Sequence, residues 1–121
     1  MKTLSQISDL PQSRPVSIRT PGNIRFVEPD RIVYLESSNN YTSFHLNNGE
    51  TYLMCKPLSY YEEMLTRRFF RCHRSYLVNG KYIKEIDTVN GNLILLSSRK
   101  TVPISRRRLS HFKKVFVEKS I

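Results

Sequence analysis

Three arginines, Arg106, Arg107 and Arg108, follow a serine at position 105, and the stretch FFRCHRSYLVN (Phe69 to Asn79) sets Arg71, His73 and Arg74 among apolar and aromatic residues. A guanidinium is a planar fork of N–H donors that matches phosphate and the O6/N7 edge of guanine. Buried without a partner such a cation is costly, so its head must reach water or something negatively charged. Ser105 reads as the N-cap of a terminal helix. Cations in the turn that follows oppose the helix dipole, which favours anions there. Backbone N–H groups at a helix start also bind phosphate, and a local conflict of this kind tends to mark a functional site. The competing reading is that no helix starts at Ser105 and the arginines coat a loop.

The elements that must carry these residues are mostly strands. VSIR and IRFVE flank a turn at Pro21-Gly22-Asn23, and RIVYLESS reads as a buried strand. YTSFHL alternates with a period of two, and Asn48-Gly49 between it and TYLMC predicts a hairpin with a type I′ turn. Pro57 suits a first helical position, with Leu58, Tyr61 and Leu65 on one helix face. FFRCH returns to strand, with Phe70 and Cys72 on one side and Arg71 and His73 on the other. Asn79-Gly80 reads as a turn, and IKEIDTV, Asn90-Gly91 and NLILLS as a second hairpin. TVPI leads into a terminal amphipathic helix with Leu109, Phe112 and Phe116 at helical spacing. The predicted fold is mainly β with two short helices, and a helix-turn-helix has no room. Residues 1–15, polar and punctuated by proline, read as a flexible arm or linker, and residues 16–121 as one domain.

Charge is distributed unevenly. The chain of 121 residues carries 20 Lys plus Arg against 10 Asp plus Glu. Residues 1–65 hold six basic and seven acidic side chains; residues 66–121 hold fourteen and three. A one-sided cationic surface attracts polyanions, nucleic acid above all. Arginine outnumbers lysine in the basic half, and no apolar insertion face is evident, so a membrane partner is not expected. Nothing resembles a signal peptide or a bilayer-spanning segment, and Cys55 and Cys72 have no metal-ligand spacing; the expectation is a cytoplasmic protein with free thiols and no cofactor.

FFRCHRSYLVN, then IKEI, then VPISRRRL, with RIVYLESSNNYTSFHL upstream, together resemble the LytTR family of bacterial DNA-binding domains over about residues 16–117. The resemblance implies an elongated arrangement of small antiparallel sheets whose loops enter successive major grooves of duplex DNA. It implies a transcriptional regulator acting on repeated half-sites, with a receiver domain or histidine-kinase pathway upstream. Carried over by position, base contacts fall to Asn40, Tyr41, Thr42, Arg74 and Arg106. Phosphate contacts fall to Lys56, Arg71, His73, Ser75, Ser105, Arg107 and Arg108. Some members carry His in the first loop and Asn in the second where this chain has Thr42 and Arg74, so the target sequence does not carry over.

Other functions remain to be weighed. An RNA-binding module could use the same basic face with Tyr41, Tyr52, Tyr60, Tyr61, Tyr76 and Tyr82 as stacking platforms, although their periodicity fits packing. A nuclease would need His45, His73 or His111 as acid and base, but no paired carboxylates suggest a metal site. The expectation is no enzyme. Cys72 sits between cations that could activate a thiolate, yet alternation points it into the core.

Overall fold

The computed structural model describes residues 15–65, 68–87, 89 and 93–114. Apart from Pro15 the predicted arm lies outside the described residues, as do the Asn90-Gly91 turn and Phe116. Among the described residues ten strands form three antiparallel sheets. β1 (Val16–Thr20) and β2 (Asn23–Val27) make a hairpin; β3 (Ile32–Ser38), β4 (Tyr41–Leu46), β5 (Thr51–Met54), β6 (Phe69–His73) and β7 (Tyr76–Asn79) make a central sheet ordered β5-β4-β3-β7-β6. β8 (Ile83–Asp87), β9 (Leu93–Leu96) and β10 (Thr101–Pro103) make the third, ordered β10-β9-β8. Helix α1 (Leu58–Met64) follows β5, and α2 (Arg106–Phe112) follows β10. With five strands between the helices, there is no helix-turn-helix among the described residues.

The central sheet is apolar on both faces, so it needs two covers. On one face Ile32, Leu35, Phe44, Leu46, Phe69 and Leu77 pack with Val16, Ile18 and Val27 of the hairpin and Leu58, Tyr61 and Leu65 from α1 and its end. On the other, Val33, Tyr34, Cys72 and Val78 pack with Ile94, Leu96, Val102, Ile104 and Phe112. Strict alternation would not put Val33 and Tyr34 on the same side. A bulge in the β3–β4 pairing between Ile32 and Tyr34 absorbs the extra residue. Both helices form, but Pro57 is the N-cap of α1 in extended backbone and not its first helical residue. Leu58 and Tyr61 are buried on one face with Leu65 at the helix end, and Phe112 of α2 meets Phe70 edge-to-face at 5.4 Å.

Three turns show how local chemistry sets the chain path. Pro21-Gly22 joins β1 to β2 with Gly22 at φ +80°, the type II preference for proline followed by glycine. The β4–β5 connection differs from the predicted type I′ turn. Within it Gly49 is the residue at positive φ, 92°, its N–H donates to Leu46 O at 3.1 Å, and Leu46 N–H donates to Glu50 O. This is the three-residue loop with glycine in the left-handed position. Asn79 ends β7 fully buried, its Nδ2 donating to Ile32 O at 2.9 Å and its Oδ1 accepting from Lys81 N–H at 3.0 Å. Asn79→Ala would leave both backbone groups without these partners, and a loss of about 1–3 kcal/mol is expected in chemical denaturation.

The outer face of the hairpin has no cover among the described residues. Phe26 is 70% exposed and Ile24 51%, across from Ser17 and Arg19, and Leu53 on β5 is 62% exposed. The sequence reading found no exposed apolar face; these residues correct it. Among the described residues no helix is long and apolar enough to cross a membrane.

Candidate nucleic-acid interface

Strand register brings the predicted loops to one end of the central sheet. β3 pairs Ser38 with Tyr41 of β4 and Glu36 with Tyr76 of β7, and β7 pairs Tyr76 with His73 of β6. The β3–β4 turn (Asn39-Asn40) and the β6–β7 turn (Arg74-Ser75) are therefore neighbours, and Ser37 N–H donates to Ser75 O at 2.8 Å. β5 ends at the same place, since Thr42 pairs with Met54 and donates its hydroxyl to Lys56 O at 2.8 Å. The start of α2 joins them: Ser105 N–H donates to Cys72 O at 2.9 Å, and Arg108 Nη1 donates to Arg71 O at 3.4 Å. His73, Arg74, Ser105, Arg107 and Arg108 line a cleft of about 360 Å³ between the β6–β7 turn and the start of α2.

Within this cluster the side chains divide. Asn40, Tyr41, Lys56, Arg74, Arg106 and Arg107 are exposed, and none of Arg74, Arg106 and Arg107 has an ion-pair partner among the described residues. Ser105 is the N-cap of α2, its Oγ accepting from Arg108 N–H at 3.3 Å. Ser75 is half-buried and gives its N–H to His73 Nδ1 at 3.1 Å.

Two expected contacts take a different part. Thr42 is fully buried, with its hydroxyl committed to the Lys56 carbonyl, so it shapes the first loop and offers no surface to a base. Arg71 has only 16% of its side chain exposed. Its guanidinium donates to His73 O at 2.9 Å, Arg74 O at 2.5 Å and Glu62 Oε1 at 2.5 Å, leaving little for a phosphate.

Burial holds His73 below the usual histidine range, and the Arg74, Arg108 and Arg71 charges add to the effect. As Nδ1 accepts the Ser75 N–H, the ring proton sits on Nε2 and the neutral form fits the turn. Burial likewise outweighs the Glu36 carboxylate, 3.3 Å away, in lowering His45, which stacks on Tyr34 at 4.1 Å. For both rings the unfolded chain binds the proton at a higher pH than the folded one. Their contribution to stability is thus present above the ordinary histidine value and lost as pH falls through the lowered one. Denaturant midpoints are expected to drop between about pH 7 and pH 5, and His73→Gln is expected to make that drop smaller.

The remaining candidates are elsewhere or inert. Burial pushes the Cys72 thiol up to about 12, so it stays protonated and enclosed at neutral pH. Cys55 is exposed. His111 lies exposed on α2, and no three His, Cys, Asp or Glu side chains among the described residues could hold a metal. Of the proposed stacking tyrosines Tyr61 is buried and Tyr52, Tyr76 and Tyr82 are partly buried, leaving Tyr41 and Tyr60 exposed.

A β-scaffold gathers two turns and the first turn of α2 at one end, and its exposed arginines come from both kinds of element. Residues 22–116 match the family model of the LytTr DNA-binding domain, and the chain belongs to that family. It is 37% identical over 76 residues to the transcriptional regulatory protein LytR of Staphylococcus aureus, covering 62% of this chain and 30% of that protein. To the transcriptional regulatory protein YpdB of Escherichia coli it is 28% identical over 93 residues, 74% of this chain and 38% of that protein. The chain thus spans about a third of these relatives. Among solved structures, the LytTr DNA-binding domain of a response regulator from Bacillus cereus superposes with a TM-score of 0.74 at 30% identity, covering 84% of this chain and 95% of that one.

Proposed function

We propose that this domain binds duplex DNA sequence-specifically as part of a bacterial transcriptional regulator. The observation that carries the reading is the convergence of Arg74 with Ser105, Arg107 and Arg108 on one cleft at the end where the β3–β4 turn also lies. Exposed forks without carboxylate partners among the described residues are free to reach a ligand, and Arg74 and Arg106 are assigned to base edges in the major groove. Lys56, Arg107 and Arg108, with the Nε2–H of His73 and the hydroxyls of Ser75 and Ser105, are assigned to phosphates that set register. Asn40 and Tyr41, exposed in the first loop, are assigned to base contacts as well. Two copies on repeated half-sites, under a receiver domain or a histidine-kinase pathway, complete the reading.

Selection of bound duplexes from a random pool, followed by competition with duplex RNA and single strands, tests it. A recovered consensus that outcompetes both RNA and single strands is the expected result. Equal competition by RNA would transfer the same surface to an RNA-binding role, and recovery of no consensus would remove base reading.

A further inference from the structure

The turn that presents Arg74 lacks the residues such turns normally use. His73 pairs with Tyr76 across a two-residue connection, Arg74-Ser75. Connections this short favour glycine, asparagine or aspartate at positive φ, and neither Arg74 nor Ser75 is at positive φ. Side chains take over the work of conformation. His73 Nδ1 receives the Ser75 N–H at 3.1 Å. One guanidinium, that of Arg71, donates to two carbonyls here, His73 O at 2.9 Å and Arg74 O at 2.5 Å. Its third contact, Glu62 Oε1 at 2.5 Å, fastens the fork to α1, and its own carbonyl accepts from Arg108.

We propose that Arg71 is the positioning residue of the β6–β7 reading turn, its Glu62-anchored fork fixing the direction in which Arg74 leaves the sheet. The proposal rests on the DNA-reading assignment for Arg74 and deepens it. Three donors in one plane are required at once, which a lysine ammonium cannot supply in the same geometry. A phosphate contact would depend mainly on charge, whereas a positioning residue depends on shape, and Arg71→Lys separates the two.

The test uses Arg71→Lys and the milder Glu62→Gln, each checked for cooperative thermal unfolding. The probes are the tightest duplex recovered from the random pool and a scrambled duplex of equal length. Arg71→Lys is expected to reduce discrimination between them about tenfold, with the salt slope unchanged, and Glu62→Gln to move the same way by less. Arg71→Lys combined with Arg74→Ala is expected to be no worse than Arg74→Ala, because the two act through one side chain. Hydrogen exchange of the Ser75 amide, read without DNA, is expected to accelerate in both single variants. Native discrimination in Arg71→Lys, equal weakening on both duplexes with a slope shallower by about one, or unchanged exchange at Ser75 would each overturn the proposal. If the parent protein discriminates among no duplexes, base reading falls, and the amide exchange still decides the positioning role.

Discussion

Affinity for duplex DNA is expected to fall about a thousandfold when salt rises from roughly 50 to 200 mM. That is the outcome of a log–log slope near −5, for about six phosphates neutralised and their counterions released. The physical basis is the one-sided charge: fourteen of the twenty basic residues lie in residues 66–121 against three acidic ones. Several cations of that half are spent internally or point elsewhere. Arg71 is held by Glu62, and Arg68 pairs with Asp30 at 3.3 Å. The slope therefore counts the cations left for the ligand, and fluorescence anisotropy at five or six salt concentrations measures it. A slope shallower than about −2 would mean that the gathered arginines do not meet the phosphate backbone.

Arg74→Ala is expected to cost about 1–3 kcal/mol on the preferred duplex and much less on a scrambled one. Exposed in a turn, the Arg74 side chain has no ion-pair partner among the described residues, so truncation takes a ligand contact with little harm to the fold. Arg106→Ala is expected to behave alike at its own base position. Arg108→Ala should lower both duplexes together, because its fork lines the cleft and one of its nitrogens also supports the Arg71 carbonyl. Parallel titrations of the three variants on both duplexes separate these patterns. Equal losses for Arg74→Ala on the two would count against base reading.

Much of this arrangement was legible in the sequence because the signals were periodic or chemically pointed. Alternation in YTSFHL, helical spacing in α1, and serine ahead of the arginine run each led to the observed element. Period alone failed where the backbone departs from it. The bulge at Val33 and the register shift between Arg71 and His73 cannot be seen as a pattern of types. Nor does a residue's neighbourhood reveal its partners. Thr42 and Arg71 stand beside the reading loops, yet the first turns inward to a carbonyl and the second folds back on two. IRFVE reads as a strand, but its pattern does not say which face is covered; Phe26 and Ile24 stand exposed because a two-stranded hairpin has one face more than the described residues cover. Arg74 stood out because arginine among apolar neighbours is expensive unless it leads outward.

The contrast between the two sulfurs has a practical side. One thiol is sealed in the interior, and the other stands in solvent beside Lys56, whose carbonyl ties the end of β5 to the first loop. A maleimide dye offered to the native protein thus has a single address, close to the surface assigned to the double helix. The molecule arrives with its own attachment point for a reporter, and no cysteine has to be introduced or removed before occupancy can be watched by fluorescence.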